Sequence, residues 1–274
     1  MAGSLDGKVV VITGSTRGIG RAMAEACADA GAMVVVSSRH ARAVDETVAA
    51  LQGRGAKASG MPCDVADPVA LEALLAHAVA THGAVDVWVN NAGISLGLRT
   101  HVDTTLDEIR SIVDINLVGT MIASRMVVPY FIGRGGGVLI NVSGRGGRGD
   151  AAAYTAAYAA TKAGVMAFTR SLAAEHHADP VSILVFMPGM VDTDFYGPDM
   201  AVTPGLEPAV DNIRIVLDAI GTPIEAVGPA LVDAACTVPG TDSGRVHRAG
   251  SALRGMLGGF KLMWARLTGR MKPM

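Results

Sequence analysis

Tyr158 and Lys162 stand four residues apart, which places both side chains on one face of any helix that contains them. A free tyrosine phenol has a pKa of about 10, which is too high for proton transfer at neutral pH. A neighbouring ammonium group stabilises the phenolate and lowers the pKa of the phenol. The pair is therefore a candidate for general acid–base chemistry, in which the tyrosine exchanges a proton with an oxygen atom.

Two further polar residues, Ser143 and Asn116, are candidates for the same site. Ser143 ends a predicted strand shortly before the Tyr158 helix, so its hydroxyl can reach the same place. Asn116 lies inside a long predicted helix, where asparagine is a mediocre helix former that prefers local hydrogen bonds. Asn116 is either a simple polar contact or the anchor of a water molecule beside Lys162.

A glycine-rich segment, Thr13 to Gly20 (TGSTRGIG), joins the first predicted strand to the first predicted helix. Unpaired N–H groups and the helix dipole favour anions at a helix N-terminus. Glycines at positions 14, 18 and 20 carry no side chain that would obstruct the pyrophosphate of a dinucleotide there. The position of the segment, directly after a strand and at the start of a helix, therefore predicts a dinucleotide site.

Three other segments follow predicted strands, where open α/β sheets bind ligands. Asp64, in Cys63-Asp64-Val65, can accept a hydrogen bond from an adenine amino group. The segment from Asn90 to Gly93 is either a polar turn or a backbone shelf beside the nucleotide. Pro188 to Thr193 follows the sixth predicted strand.

The elements that position these residues alternate between short β-branched runs and helical patterns, which predicts βαβ units, a parallel sheet and helices on both faces. The predicted strands are 8–13, 33–38, 56–61, 85–90, 138–143, 181–187 and a short last strand at 243–249. The predicted helices are 18–31, 41–53, 67–82, 105–133, 152–178, 209–220 and 224–237. The fold class is therefore α/β: a single doubly wound domain over 1–250, with a substrate lid at 190–222 and a C-terminal extension at 251–274.

The composition excludes several classes of protein. Half of the 274 residues are hydrophobic and 18% are charged, which excludes general disorder. A net charge of −2 excludes a broad basic surface for nucleic acid. Three distant cysteines without a CxxC pair argue against disulfides and a zinc site, so no metal is expected. The N-terminus lacks the pattern of a signal peptide and no apolar run approaches about 18 residues, so a cytoplasmic protein is predicted.

Seven segments make the chain resemble the short-chain dehydrogenases/reductases: TGSTRGIG, CDV, NNAG, INLVGT, NVSG, YAATK and PGMVDT, in the family's order and at roughly its spacings. The resemblance implies a Rossmann fold and a catalytic tetrad of Asn116, Ser143, Tyr158 and Lys162. Tyr158 would give a proton to a carbonyl oxygen while the carbonyl carbon receives hydride, and Ser143 would hold that oxygen. Lys162 would bind the nicotinamide ribose and lower the pKa of Tyr158, and Asn116 would hold the water of a proton relay.

The resemblance also implies a nicotinamide dinucleotide site, in which Thr193 would orient the carboxamide group. The predicted cofactor-binding residues are Gly14, Ser15, Thr16, Arg17, Gly18, Ile19, Gly20, Ser38, Arg39, Asp64, Val65, Asn90, Ala92, Gly93, Tyr158, Lys162, Pro188, Gly189, Val191 and Thr193. An acidic residue at the end of the second strand would bind the ribose hydroxyls of NAD, but Ser38 and Arg39 stand there and Arg17 lies in the glycine-rich turn. Because arginine binds phosphate through two N–H groups, the sequence favours NADP(H) over NAD(H).

One departure from the family pattern lies between Ser143 and Tyr158, which are 15 residues apart and so slightly farther than is usual in the family. The extra length falls in the segment 144–149 (GRGGRG), which borders the predicted substrate mouth; a longer surface loop adds little closure entropy. Arg145 and Arg148 are either solvated loop cations or ligands for an anionic substrate group, such as a carboxylate or a coenzyme A phosphate.

These features predict an oxidoreductase that transfers hydride between NADP(H) and a carbonyl compound or secondary alcohol, acting as a reductase of a hydrophobic or acyl-chain ketone. The predicted lid offers an apolar wall, although any lid that packs on a core needs the same kind of residues: Met190, Val191, Phe195, Tyr196, Met200, Val202, Leu206, Ile213, Val216 and Leu217. The alternatives are an NAD-dependent alcohol dehydrogenase of the same fold and a non-catalytic dinucleotide sensor, which would be expected to lack Tyr158 or Lys162. The resemblance also implies a homo-oligomer, a tetramer or a dimer, with 105–133 and 152–178 at the interfaces.

The C-terminal extension has a charge pattern of its own. Residues 243–274 hold seven basic and no acidic residues, whereas 1–242 hold 16 basic and 25 acidic residues. Apolar residues recur in the extension at helical spacing: Leu253, Met256, Leu257, Phe260, Met263, Trp264 and Leu267. Three glycines weaken this helix, so it needs a surface to fold against. The sequence favours docking on the acidic body or on a neighbouring subunit, and contact with an anionic membrane surface is the alternative.

Overall fold

The computed structural model describes residues 4–197, 200–250, 252–268 and 271. Within these ranges the strands are β1 (Val9–Thr13), β2 (Met33–Ser38), β3 (Ala58–Pro62), β4 (Val87–Asn90), β5 (Gly137–Val142), β6 (Val181–Met187) and β7 (Val246–Arg248). The helices are α1 (Gly18–Asp29), α2 (Ala41–Gly53), α3 (Pro68–His82), α4 (Leu106–Val113), α5 (Gly119–Gly133), α6 (Ala156–Glu175), α7 (Glu207–Ile220), α8 (Ile224–Ala235) and α9 (Ala252–Leu267). The strands form one parallel sheet in the order β3-β2-β1-β4-β5-β6-β7.

The order of the sheet reverses at β1, which pairs with β2 on one side and with β4 on the other. Loops that leave the carboxyl ends of β1 and β4 run to opposite faces of the sheet, which opens a crevice at this edge. This is the doubly wound arrangement, so the predicted fold class is confirmed. Thr13, Ser38 and Asn90 end β1, β2 and β4, and all three lie at the crevice edge.

The sheet is buried on both faces, as the alternating side chains of β1 show. Val10 and Ile12 pack with residues of α1, α2 and α8 on one face. Val9 and Val11 pack with Trp88 and with residues of α3 and α5 on the other face. Two apolar clusters therefore hold the sheet between two layers of helices, as expected for a parallel sheet.

The predicted helical stretch 105–133 is confirmed as Leu106–Gly133, and it contains a π-helical turn, Asp114–Val118, between α4 and α5. Asn116 lies in this turn, where its side chain binds both the N–H and the carbonyl group of Ile94, at 2.8 and 3.0 Å. The Thr120 hydroxyl donates to the Asn116 carbonyl at 3.2 Å. Side-chain bonds of this kind compete with the regular helical ladder, and the turn holds the helix to the loop after β4.

The whole stretch Leu106–Gly133 is long and apolar enough to cross a membrane by length and composition. Half of its most apolar window is buried inside the protein. Its α5 part packs against α3 and β5. A helix that is apolar because it is buried in this way is typical of a protein core.

Helix α6 begins at Ala156, four residues later than the predicted helix 152–178. Tyr154 precedes the helix in a left-handed conformation, with φ of +63°, so the right-handed helix cannot extend back through this residue. The Tyr154 carbonyl accepts a hydrogen bond from the Arg99 backbone N–H at 2.9 Å. The segment before α6 is therefore a loop joined to the loop after β4.

The C-terminal helix α9 packs mainly against α7. Gly258 is buried at this contact, where Ala219 and Ile220 leave no room for a side chain. Helix α9 therefore docks on the body, but at Gly258 and not through the described members of the predicted apolar stripe. The side chains of Leu253, Met256 and Leu257 lie outside the described residues. The large apolar side chains on another face of α9 nevertheless stay exposed: Phe260, Met263, Trp264 and Leu267. Contact with a membrane surface stays a prediction.

The docking contact predicts opposite effects for two adjacent glycines. A Cβ at Gly258 would overlap the Ile220 side chain and the Ala219 carbonyl oxygen, whereas nothing lies within 4 Å of a Cβ at Gly259. We expect Gly258→Ala to weaken docking by about 1–3 kcal/mol, which raises the rate at which trypsin cuts the basic tail. Gly259→Ala should slow cleavage, since alanine stabilises an exposed helix by up to about 1 kcal/mol. Equal cleavage rates in the two variants would contradict this contact.

Candidate active site

The glycine-rich turn after β1 is shaped to admit an anion. Gly14 and Gly18 have φ of +65° and +52°, which side chains rarely tolerate. A Cβ at Gly20 would overlap the Gly14 carbonyl and lie 2.6 Å from the Asn91 side-chain nitrogen. Helix α1 begins at Gly18, and no side chain caps it at Arg17. The N–H groups of its first turn therefore remain available for a bound anion.

The turn after β4 is tied directly to this glycine-rich turn. The Asn91 amide group donates to the carbonyl oxygens of Thr13 and Gly14, at 2.9 and 3.1 Å. The Thr13 hydroxyl accepts from the N–H groups of Asn91 and Ala92, each at 3.1 Å. Asn91 was not among the predicted site residues, although the NNAG segment was the signal that could have identified it.

Tyr158 and Lys162 lie on one face of α6, as their spacing predicts, and both line the crevice. Lys162 is buried, with 5% of its surface exposed. Its ammonium group donates to the Val142 carbonyl at 3.0 Å and lies 5.7 Å from the centre of the Tyr158 ring. The end of β5 therefore holds the lysine, and the lysine stands beside the phenol.

Burial changes the acidity of both groups. Burial raises the pKa of Tyr158, and the neighbouring Tyr196 raises it further. Burial lowers the pKa of Lys162 to about 8. The pKa of Tyr158 is therefore raised on balance, because desolvation of the phenolate dominates; the predicted contribution of Lys162, which would lower that pKa, stays a prediction. The phenol stays protonated at neutral pH, as a proton donor must.

Ser143 follows β5 and is buried at the same site. Its hydroxyl donates to the Lys162 carbonyl at 2.9 Å. To donate a hydrogen bond to a substrate oxygen, the hydroxyl must rotate away from this carbonyl. Ser143, Tyr158 and Lys162 all line the crevice.

Asn116 lies behind these three residues and does not line the crevice in the part of the chain that the structure describes. In addition to its bonds with Ile94, its amide group donates to the Thr161 hydroxyl at 3.2 Å. A Cβ at Gly93 would lie 3.2 Å from the Asn116 side-chain oxygen and 3.7 Å from the Lys162 ammonium nitrogen. The polar contact is therefore observed, and the role as a water anchor stays a prediction.

The crevice has a volume of about 910 Å³ and extends from Arg39 at one end to Tyr158 at the other. The structure brings most of the predicted cofactor residues together there: Gly14, Thr16, Arg17, Gly18, Ile19, Gly20, Ser38, Arg39, Asp64, Val65, Ala92, Gly93, Pro188, Gly189, Val191 and Thr193. An open cleft of this size, with an uncapped helix N-terminus and a side-chain-free turn at its floor, fits a dinucleotide.

Comparison with known proteins decides the family. A sequence model described as short chain dehydrogenase matches residues 8–201, more than half of the chain. The chain belongs to the short-chain dehydrogenase family. Members of this family are oxidoreductases that use a nicotinamide dinucleotide, and they are often oligomeric.

Three similar proteins illustrate the range of this family. Dehydrogenase/reductase SDR family member 4 of Bos taurus is 36% identical over 196 residues, which cover 70% of this chain and 68% of that protein. The probable chlorophyll(ide) b reductase NYC1 of Arabidopsis thaliana is 34% identical over 203 residues, and the match spans 68% of this chain but only 41% of that protein. The crystal structure of a putative gluconate dehydrogenase from Agrobacterium tumefaciens aligns with a TM-score of 0.79 at 25% identity, covering 94% of this chain and 97% of that one.

Two predicted cofactor residues of this short-chain dehydrogenase lie beneath the cleft. The Ser15 hydroxyl donates to the Ile12 carbonyl at 2.7 Å and accepts from the Ser37 N–H at 3.0 Å, so it joins β1 to β2. The Asn90 side chain accepts from the Trp88 indole at 2.8 Å and donates to Asn141 at 2.9 Å. Both side chains hold the strands together, and contact with a cofactor stays a prediction for them.

The substrate end of the cleft is apolar and aromatic. The Phe195 ring contacts the rings of Tyr158 and Tyr196 edge-on, with centres 5.2 and 5.0 Å away. Four members of the predicted apolar wall line the cleft: Val191, Phe195, Tyr196 and Met200. Other members of the predicted apolar wall pack into a cluster with Leu98 instead: Met190, Val202, Leu206, Ile213 and Leu217. Much of the apolar character of the lid therefore serves its own packing.

Sequence reasoning missed several lining residues of this end. Ser95, Leu98 and Thr155 line the substrate end, and they stand in loops without a recognisable motif. Thr193 is one of the predicted cofactor residues. Its methyl group lies 3.7 Å from the position of a Cβ at Gly18, so the predicted lid segment begins beside the glycine-rich turn. Among the described residues, no group of three or more His, Cys, Asp or Glu side chains could hold a metal ion.

Proposed function

We propose that this chain is an NADP(H)-dependent reductase that transfers hydride to the carbonyl carbon of an apolar or acyl-chain ketone. The observation that carries the proposal is the Tyr158–Lys162 pair at one end of the cleft, in which Lys162 is buried and Tyr158 is half-buried. At the other end stand Arg17 and Arg39, and no acidic residue ends β2. The proton donor and the cation pair are thus joined by one cleft that fits a dinucleotide.

The side chains of this site perform the proton chemistry of the proposed reaction. A bound nicotinamide supplies the hydride. Tyr158 donates its proton to the carbonyl oxygen of the substrate, and Lys162, while charged, stabilises the phenolate that remains. The Ser143 hydroxyl, once released from the Lys162 carbonyl, donates a hydrogen bond to the same oxygen. Because burial raises the pKa of Tyr158, the phenol keeps its proton at neutral pH, which is the form that reduction requires.

The charges beside β2 support NADP(H). Arg17 and Arg39 are exposed, and in the described part of the chain neither guanidinium lies within 4.0 Å of a carboxylate. Ser38 offers a small hydroxyl where a carboxylate would repel a phosphate. Asp64 follows the neighbouring strand, β3, and its carboxylate accepts a hydrogen bond from the Ala66 N–H at 3.0 Å. Two free guanidinium groups suit a ribose 2′-phosphate.

Cofactor preference gives the first test. Arg39→Ala should raise the dissociation constant of NADPH by about 10- to 100-fold, as expected for loss of a charged hydrogen bond. The dissociation constant of NADH should rise much less. Adding Ser38→Asp should shift the preference further toward NADH by charge repulsion. Fluorescence titration of both dinucleotides measures the ratio of the dissociation constants. Arg42→Ala is the matched control, because Arg42 is exposed nearby but pairs with Glu46 at 2.7 Å. Equal weakening of both cofactors by Arg39→Ala would contradict recognition of the phosphate.

A screen of NADPH consumption tests the activity itself. The substrates are 3-oxoacyl thioesters, steroid ketones, quinones and small aldehydes, each tested with NADPH and NADH. Turnover of an apolar ketone with NADPH supports the proposal. Dinucleotide binding without turnover of any compound would instead support a sensor, and equal use of NADH would support an NAD-dependent alcohol dehydrogenase.

A further inference from the structure

The loop after β5 is seated on the helix that carries Tyr158. A Cβ at Gly146 would overlap Ala159 of α6, and a Cβ at Gly147 would overlap the Ser143 hydroxyl. A Cβ at Gly144 would lie 2.9 Å from the Tyr158 phenol oxygen. These three glycines therefore let the backbone lie directly against the site. Arg145 stands between Gly144 and Gly146, two positions after Ser143, so this close packing fixes its backbone beside the site.

The two arginines of this loop have different surroundings. Arg145 is half-buried and lines the substrate end of the cleft together with Tyr158, Phe195 and Tyr196. Arg148 is exposed and does not line the cleft. Of the two interpretations that the sequence left open, a solvated loop cation describes Arg148 but not Arg145.

Arg145 forms no ion pair within the described part of the protein, although Glu108 and Asp194 line other parts of the same cleft. No carboxylate there lies within 4.0 Å of its guanidinium, and none of its N–H groups donates a hydrogen bond. The innermost part of the cleft, which Arg145 lines, is otherwise built from neutral residues: Ser95, Gly97, Leu98, Thr155, Tyr158, Phe195, Tyr196 and Met200. The guanidinium is near enough to Tyr196 to oppose the rise that burial causes in the pKa of that phenol.

Among the described residues, no protein group pairs with the Arg145 guanidinium and none of its nitrogen atoms is shut off from solvent, so an anionic ligand in the cleft can bind to it. We propose that Arg145 binds an oxyanion of the substrate, a carboxylate or a phosphate, which an apolar segment joins to the ketone that Tyr158 protonates. This inference rests on the proposed reductase function. It narrows the substrate class from apolar ketones to keto acids or keto phosphates whose middle part contacts Phe195, Leu98 and Met200.

A matched pair of substrates isolates the charge. The probes are 4-oxo-4-phenylbutanoate and 5-oxo-5-phenylpentanoate, each against its methyl ester, and 4-oxo-4-phenylbutyl phosphate against the corresponding alcohol. We expect at least one anion to have a kcat/KM tenfold or more above its neutral partner. In Arg145→Ala the kcat/KM of the anion relative to that of its neutral partner should fall by about 10- to 100-fold, the size expected for a charged hydrogen bond. Most of this change should be a higher KM for the anion. The phosphate arm distinguishes a phosphate ligand from a carboxylate ligand.

Arg148→Ala is the control, because it removes the same charge from the same loop outside the cleft. Arg145→Gln serves as a second variant that keeps a polar side chain, and the thermal midpoint of each variant verifies folding. Equal loss for anion and neutral partner in Arg145→Ala, or the same ratio change in Arg148→Ala, would overturn the inference.

The outcomes also separate this inference from the proposed function. If the neutral ketones are reduced with no preference for any anion, the reductase function stands and the role of Arg145 falls. If neither these probes nor the compounds of the NADPH screen are reduced, the reductase function falls, and calorimetric titration of the NADPH-saturated protein with the anions decides the role of Arg145 alone. Binding that Arg145→Ala abolishes and Arg148→Ala preserves supports it; absence of binding overturns it.

Discussion

The Tyr158→Phe variant should reduce ketones roughly 10²- to 10⁴-fold more slowly than the parent protein, because the ring still packs but the transferable proton is gone. The phenol oxygen is the group on α6 that faces the cleft beside Lys162. NADPH should still bind, since the nucleotide end of the cleft is unchanged. Single-turnover reduction and a separate NADPH titration distinguish loss of chemistry from loss of cofactor.

Tyr154 provides the matched control for this experiment. Tyr154 stands four residues earlier in the chain, but its ring packs with the apolar cluster around Leu98 rather than in the cleft. Tyr154→Phe should therefore keep most of the activity. If Tyr158→Phe kept more than about a tenth of the turnover, another group would have to be the general acid.

Lys162→Met should lower kcat/KM by roughly 10²- to 10³-fold, the size expected when a group that stabilises developing charge is removed. The reason is that the methionine side chain fills the space but leaves the phenolate of Tyr158 without a neighbouring cation. The effect has a pH signature. The pKa of Lys162 is lowered to about 8, so its charged form is lost as the pH rises through that value. In the parent protein kcat/KM should be flat below that pH and should fall above it.

The falling limb should disappear in Lys162→Met, whose remaining activity should not vary with pH in that range. A falling limb that survives in the variant would assign it to another group. The Val142 carbonyl loses its donor in this variant, so the thermal midpoint must be compared to separate lost stability from lost chemistry.

The alternation of strands and helices could be predicted because each element here carries a strong local pattern. The six-residue run of β2 and the boundaries of α2 agree with their predictions, since β-branched runs and helical spacing act within a single segment. The π-helical turn could not be predicted, because it depends on bonds between Asn116 and Ile94, 22 residues earlier in the chain. Likewise, the late start of α6 depends on a left-handed residue, Tyr154, and on its contact with Arg99.

The candidate site follows the same division. The spacing of Tyr158 and Lys162, and the glycines after β1, are local features, so the sequence indicates both ends of the cleft. Which polar residues face the cleft is a property of the packed structure: Asn90 points into a buried network with Trp88 and Asn141, while its neighbour Asn91 supports the turn. The direction of the pKa shift at Tyr158 could not be predicted from the sequence either, because it depends mainly on how deeply the folded protein buries the phenol.

The seat of α9 has a practical consequence for how the protein is handled. Gly258 contacts Ala219 and Ile220 at the end of α7, and Ile213 of the same helix packs in one cluster with Tyr196 and Met200, which line the cleft. Any displacement of α7 must therefore carry α9 along or break the contact at Gly258. A truncation that removes α9 would therefore affect α7 and the cleft residues packed beside it before it affects the sheet.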